Sequence, residues 1–220
     1  MNYKRLTLLA GHYGSGKTNL AVNMALDLRK SRERVALADL DIVNPYFRSE
    51  DSRAELENAG IRLIVSEYAN TNLDVPALPQ EMYALVDDTG LSAVIDVGGD
   101  DRGALALGRL SPAIAAENDF DMFLVVNRFR PLTRDADAVL EVMREIEEAG
   151  HLRFTGVIDN SNLGAETAAE DVLAGRAFAE AVSEKTGLPL VLTSVEESLY
   201  PALRDRIVDL FPMHLQKRPV

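Results

Sequence analysis

The segment best suited to do chemistry is a glycine-rich stretch, GHYGSGKT, at positions 11–18. Its spacing, Gly11-x-x-x-x-Gly16-Lys17-Thr18, is that of a Walker A loop. Glycines let backbone N–H groups converge on phosphate oxygens, and a helix that begins after the loop adds its positive dipole. Lys17 would neutralise charge on the β- and γ-phosphates, and Thr18 would place its hydroxyl on Mg²⁺. We therefore predict a nucleotide-phosphate site made by Gly11, His12, Tyr13, Gly14, Ser15, Gly16, Lys17 and Thr18.

Carboxylates that could complete such a site follow two other apolar runs. Asp39 and Asp41 lie in VALADLDIVNP, and Asp96 begins the D-x-x-G segment DVGG. Because Mg²⁺ prefers oxygen ligands, we predict Asp39 and Asp96 near the metal and Asp41 as the residue that orients or deprotonates an attacking water. The sequence alone does not decide which of Asp39 and Asp41 has which of these two roles. The backbone amide of Gly99 could move with the γ-phosphate of the nucleotide. The alternatives are a helix-capping Asp96 and a solvated turn at Asp41.

The elements that must position these residues alternate along the chain. Short apolar, β-branched runs predict strands, and amphipathic runs between them predict helices on both faces of a parallel sheet. The predicted strands are 5–10, 34–39, 61–66, 93–97, 122–127, 155–159 and 188–193. The predicted helices are about 17–31, 50–59, 80–88, 103–116, 134–149, 167–186 and 201–210. The fold class is thus α/β: a single three-layer P-loop NTPase domain over residues 1–220, with a mainly parallel, twisted sheet of about seven strands.

Composition narrows the classes of function. With 23 basic and 35 acidic residues the net charge is −12, which argues against binding nucleic acid or anionic membrane by bulk charge. The absence of cysteine excludes disulfides and thiolate metal sites, and three histidines argue against a metallochaperone with its own metal site. The amino-terminal apolar run is too short for a signal peptide, and Pro212 interrupts the tail, which disfavours a membrane-binding helix. We expect a cytoplasmic protein.

The segments GHYGSGKT, ADLD and DVGG, in this order, resemble the ParA/MinD-type branch of P-loop ATPases. That branch also contains the nitrogenase iron protein and ATPases that insert metals or clusters. The resemblance implies that MgATP is bound, that two subunits sandwich the nucleotides, and that hydrolysis releases the dimer to act on a client protein. It also implies that residues 39–41 and 96–99 are the two switch regions.

Two asparagines stand where this branch contacts the base. They are Asn127, in VVNRFRP, and Asn160, in VIDNSNLG. An asparagine side chain both donates to and accepts from an adenine edge, although an Asx-type turn explains either residue equally well. The guanine-selective signature Asn-Lys-x-Asp is not reproduced at 127–130, because its final carboxylate is missing. The sequence therefore favours ATP over GTP.

The loop departs from the branch at His12, where the signature K-G-G-x-G-K-[ST] carries a lysine that reaches the partner subunit's phosphate. An arginine is the better substitute, because it is always charged and can fork onto phosphate. Arg48 and Arg102, beside the two switch regions, are the candidates. Two other functions stay open. One is a small-molecule kinase or ATP-dependent ligase, in which residues 68–79 would form one wall of the acceptor pocket. The other is a regulatory module that binds ATP without hydrolysing it.

Overall fold

The computed structural model describes residues 1–40, 50–65, 80–99 and 101–215. Asp41, Arg48 and the segment 66–79 lie outside the described residues, and so does the side chain of Arg102. The predictions that fall on them stay predictions.

Strands and helices alternate through the described chain, as the apolar pattern predicts. The strands are β1 (Leu6–Ala10), β2 (Val35–Asp39), β3 (Ile61–Val65), β4 (Ser92–Asp96), β5 (Phe120–Val126), β6 (Gly156–Asp159), β7 (Leu190–Glu196) and β8 (Leu210–Met213). The helices are α1 (Lys17–Arg29), α2 (Glu50–Asn58), α3 (Gln80–Asp87), α4 (Asp101–Glu117), α5 (Ala136–Gly150), α6 (Ala169–Thr186) and α7 (Tyr200–Leu203).

The strands form one eight-stranded sheet in the order β3-β2-β4-β1-β5-β6-β7-β8. All neighbouring strands run parallel. Their carboxyl ends therefore meet at one edge, where the loop after β1 lies between the ends of β4 and β5. In an open α/β sheet, ligands bind at this edge, at the point where the strand order reverses.

The sheet is covered on both faces, which confirms the predicted three-layer α/β class. Side chains that alternate along each strand divide the core into two apolar layers. On one face Leu6, Leu8 and Ala10 of β1 pack with buried side chains of α3, α4, α5 and α6. On the other face Leu9 packs with α1, whose buried face includes Leu20, Ala21, Met24, Ala25 and Leu28.

The carboxyl-terminal region differs from the prediction. The helix predicted over 201–210 is only α7, and the chain then turns into β8, which adds an eighth strand beside β7. Leu203 and Ile207 are spaced like one face of a helix, but both are buried in a small cluster with Val172 and Val195. Pro212 is tolerated in β8 because an edge strand pairs on one side only.

No helix among the described residues is long and apolar enough to span a bilayer.

Candidate functional site

The glycine-rich loop connects the end of β1 to the start of α1, and three of its glycines have positive φ. Gly11 has φ 149°, Gly14 has φ 77°, and Gly16, the residue before α1, has φ 86°. A Cβ on Gly11 would lie 2.5 Å from the carbonyl oxygen of Val125, and one on Gly16 would lie 2.4 Å from Nδ2 of Asn160. The loop thus needs glycine both for its turns and for its close contacts with the strand ends beside it.

Lys17 lies inside this loop. Its side chain is buried, and Nζ donates to the carbonyl oxygens of Gly11 at 2.9 Å and His12 at 3.2 Å. These bonds hold the ammonium group within the loop, where the loop's amide groups also lie. A loop with a fixed lysine, positive-φ glycines and a helix N-terminus has the chemistry of a phosphate cradle.

His12, where the loop departs from the branch's signature, and its neighbour Tyr13 are partly exposed. His12 is half-buried, and its Nδ1 donates to the carbonyl oxygen of Tyr13 at 2.7 Å. Because a carbonyl only accepts, this bond fixes the proton on Nδ1. Tyr13 is 65% exposed, so its ring is available to whatever lies over the loop.

Thr18, Asp39 and Asp96 lie together at the carboxyl edge of the sheet. Thr18 Oγ1 donates to Asp96 Oδ2 at 2.5 Å, and Asp39 and Asp96 are register partners on adjacent strands, both 2% exposed. This all-oxygen donor set fits Mg²⁺, which usually keeps several waters and takes only one or two carboxylates. In the described ranges no three His, Asp or Glu side chains are grouped as metal ligands.

The DVGG segment after β4 contacts the phosphate-binding loop directly. A Cβ on Gly99 would lie 2.6 Å from the backbone nitrogen of Tyr13 and 2.8 Å from its Cα. On the other side, a Cβ on Gly103 of α4 would lie 2.6 Å from the backbone nitrogen of Gly98. Glycine is therefore required at 99 and 103, and the DVGG segment contacts both the loop and the start of α4.

Asn160 supports the loop from the end of β6. Its Nδ2 donates to Ser15 O at 2.7 Å, and its Oδ1 accepts from Ser194 Oγ at 2.5 Å. The side chain is 1% exposed. Its contact with a base stays a prediction, and the structure gives it a further role as a brace of the loop.

Asn127 is fully buried at the end of β5. Its Oδ1 accepts from the backbone N–H of Phe129 at 3.1 Å. This hydrogen bond makes the Asx-type turn that the sequence also allowed. Its Nδ2 makes only a long contact, 3.5 Å, with Asn162 O. In this structure Asn127 shapes the turn that follows β5, and its base contact stays a prediction.

A small pocket lies beside Asn160, at the carboxyl ends of β6, β7 and β8. Its lining includes Ser161, Asn162, Ser194 and the carboxylate-bearing Glu196. Sequence reasoning missed this pocket because it predicted no strand over β8, which closes one side of it.

Sequence reasoning also missed Arg130, which lies against the phosphate-binding loop. A Cβ on Gly14 would lie 3.6 Å from Nε of Arg130 and 3.7 Å from its Cζ. The arginines that the sequence singled out were those next to the two switch regions. Only the fold shows that the turn after β5 lies beside the loop.

Asp159, at the end of β6, is a buried carboxylate that was not predicted. Its Oδ1 accepts from the backbone N–H of Ser161 at 3.0 Å, and its Oδ2 has no hydrogen-bond partner. Burial raises the pKa of Asp159 to about 6, although hydrogen bonds from Ser161 and Thr193 and the charge of Arg176 favour the ionised form.

The raised pKa of Asp159 predicts a stability that falls with rising pH. Between its ordinary value of 3.8 and about 6, the folded protein binds more protons than the unfolded chain, so its contribution to the free energy of unfolding decreases over this window. We expect Asp159→Asn to abolish that decrease, because the amide stays neutral. Urea unfolding at several pH values would measure it, with exposed Asp205→Asn as the control. A difference between Asp159→Asn and wild type that is the same at both ends of the window would contradict the assignment.

Comparison with known proteins decides the family. The family model described as "CobQ/CobB/MinD/ParA nucleotide binding domain" matches residues 6–173, about three quarters of the chain. The chain belongs to this family. It is therefore a P-loop NTPase, as the resemblance implied, and the match includes the loop, β2, β4 and the turn after β5. No curated protein matches the chain.

Several solved structures are similar to this chain in fold. Chloroplast FtsY from Physcomitrella patens is 17% identical, with a TM-score of 0.59 over 90% of this chain and 60% of that one. The cell division protein FtsY from Thermotoga maritima is 18% identical, with a TM-score of 0.58 over 87% and 62%. FlhF complexed with GTP/Mg²⁺ is 15% identical, with a TM-score of 0.54 over 87% and 66%. At these identities the likeness shows the fold alone, and the chain spans about three fifths of the first two proteins' length.

Proposed function

We propose that this chain is a Mg-ATP-dependent switch that binds ATP in the loop 11–18, hydrolyses it, and thereby alters its contact with a partner protein. The observation that carries the proposal is the contact between Gly99 and the backbone of Tyr13. Through it, the segment next to the metal-binding carboxylate touches the phosphate-binding loop on one side and the start of α4 on the other. The presence or absence of a terminal phosphate at the loop would therefore change the position of α4.

Different residues of the chain would bind the phosphates, hold the metal ion and orient the attacking water. Lys17 and the loop amides bind the phosphates, while Thr18, Asp39 and Asp96 are the residues that would hold Mg²⁺. The ion, when bound, neutralises phosphate charge. Asp41, which lies outside the described residues, is our candidate to orient the attacking water.

Exposed apolar side chains in the loop and in two segments that adjoin it support contact with a partner. Tyr13 is 65% exposed, Leu105 in α4 is 59% exposed, and Leu132, two residues after Arg130, is 69% exposed. Tyr13 belongs to the loop, Leu105 to the helix whose start packs on Gly98, and Leu132 to the turn that carries Arg130. We propose that this surface binds a client protein or a second copy of the chain when nucleotide is bound.

The choice of ATP over GTP rests on the sequence that follows β5 and β6. Neither 127–130 nor 160–163 ends in the carboxylate of a guanine signature, since Arg130 and Leu163 stand at those positions. GTP is the second candidate, because Glu196 lines the small pocket beside Asn160, one of the two candidate base contacts, and a carboxylate accepts hydrogen bonds from guanine.

The test is to follow the phosphate. The protein is incubated with γ-labelled ATP and, in parallel, γ-labelled GTP, alone and then with fractions of cell extract. We expect label in inorganic phosphate from ATP, and we expect Asp41→Asn to bind ATP normally but release no phosphate. Label in a small-molecule acceptor would identify a kinase instead, and label that stays in ATP under all conditions would identify a non-hydrolysing module. Faster release from GTP would overturn the nucleotide choice alone.

A further inference from the structure

Arg130 is held against the phosphate-binding loop by the turn that follows β5. Its backbone N–H donates to Asn127 O at 3.1 Å, and its carbonyl oxygen accepts from the N–H of the buried Thr133 at 3.2 Å. These bonds fix the backbone on both sides of the residue. The side chain then lies along Gly14, with Nε, Cδ and Cζ all 3.6–3.7 Å from the position of a Cβ on that glycine.

The guanidinium group of Arg130 has no anionic partner in the part of the chain that the structure describes. Its Nε is buried and has no hydrogen bond. Other arginines do find carboxylates there: Arg34 pairs with Asp88, Arg153 with Glu147 and Arg176 with Glu180. A partly buried cation without a partner is unfavourable, and an anion placed beside it would be stabilised. The anion expected at this loop is a nucleotide phosphate.

We propose that Arg130 is a ligand of the β- or γ-phosphate of the bound nucleotide, and that it supplies from within the same subunit the fixed positive charge that position 12 lacks. His12 is a poor substitute, because its Nδ1 proton already donates to the carbonyl oxygen of Tyr13. An arginine is always charged and can donate two parallel hydrogen bonds to phosphate. This inference rests on the proposed function, since it needs a nucleotide at the loop.

Two substitutions separate charge from packing. Arg130→Met keeps an apolar stem that can lie along Gly14 but removes the charge. Arg130→Lys keeps the charge but loses the planar guanidinium group that can donate two parallel hydrogen bonds. Arg128→Met is the matched control, because Arg128 lies on the same turn, is exposed, and donates to Ala174 O rather than to the loop. Calorimetric titration of each variant with a non-hydrolysable ATP analogue, ADP and AMP, all with Mg²⁺, gives the affinities.

We expect Arg130→Met to weaken binding of the ATP analogue by about tenfold to hundredfold and to change AMP binding little. Arg130→Lys should recover part of the loss, and Arg128→Met should bind as the wild type does. A loss confined to the ATP analogue assigns Arg130 to the γ-phosphate, and an equal loss for ADP assigns it to the β-phosphate.

Two results would overturn the assignment while leaving the proposed function intact. One is wild-type affinity in Arg130→Met beside lost affinity in Lys17→Ala. The other is an equal loss for AMP, ADP and the ATP analogue with no recovery in Arg130→Lys, which would mean that Arg130 only shapes the loop. A wild-type protein that binds none of the three nucleotides would overturn both the assignment and the proposed function.

Discussion

Lys17→Ala is expected to lower the affinity for Mg-ATP by about a hundredfold or more. The ammonium group is buried and bonded to two loop carbonyls, Gly11 O and His12 O, so it is already positioned where the phosphates would lie. Removing it takes away the loop's fixed positive charge and also the bonds that keep the loop closed. Isothermal titration with a non-hydrolysable ATP analogue measures the loss.

The matched control is Lys30→Ala, at the other end of α1. Lys30 is exposed and forms a surface ion pair with Asp27, and such pairs contribute little to stability. Both variants should unfold near the wild-type temperature, because alanine is a good helix former and neither side chain belongs to the apolar core. If Lys17→Ala bound ATP as tightly as Lys30→Ala does, the loop would not be the phosphate site.

Much of the site could be predicted because a parallel sheet constrains it strongly. Once the loop is placed after β1 and the aspartates after β2 and β4, their strands must end at one edge, and the register brings Asp39 beside Asp96. The Thr18–Asp96 hydrogen bond follows from the same geometry, since α1 begins where β4 ends. Local sequence patterns were sufficient to predict these site residues, because each of them stands at or directly after the end of a strand.

What could not be predicted depends on contacts between segments far apart in the chain. Nothing in VVNRFRP says which arginine faces the loop; the bond from Arg130 N–H to Asn127 O makes the turn that decides it. Asn160 braces Ser15 from 145 positions away. The strand β8 was missed because four residues that include a proline carry no clear period, and its pairing with β7 outweighs local propensity.

Asp96→Asn is expected to remove most of the Mg²⁺ dependence of ATP binding. Affinity measured with Mg²⁺ should fall roughly tenfold to hundredfold, towards the value in chelator, while affinity in chelator stays nearly constant. The physical reason is that an amide oxygen can still accept from Thr18 Oγ1, so the local fold persists, but the charge that attracts the cation is gone. The exposed Asp87→Asn, at the end of α3, is the control for loss of one negative charge.

Thr18→Val tests the same metal site independently, because it removes the hydroxyl and keeps the shape of the side chain. If Thr18 and Asp96 hold one ion together, the double variant should lose no more Mg²⁺-dependent affinity than the worse single variant. Losses that simply add would mean that the two residues act on the nucleotide independently. The hydrogen bond from Thr18 to Asp96 would then be only a helix-to-strand contact, and the metal would have to be held by other residues.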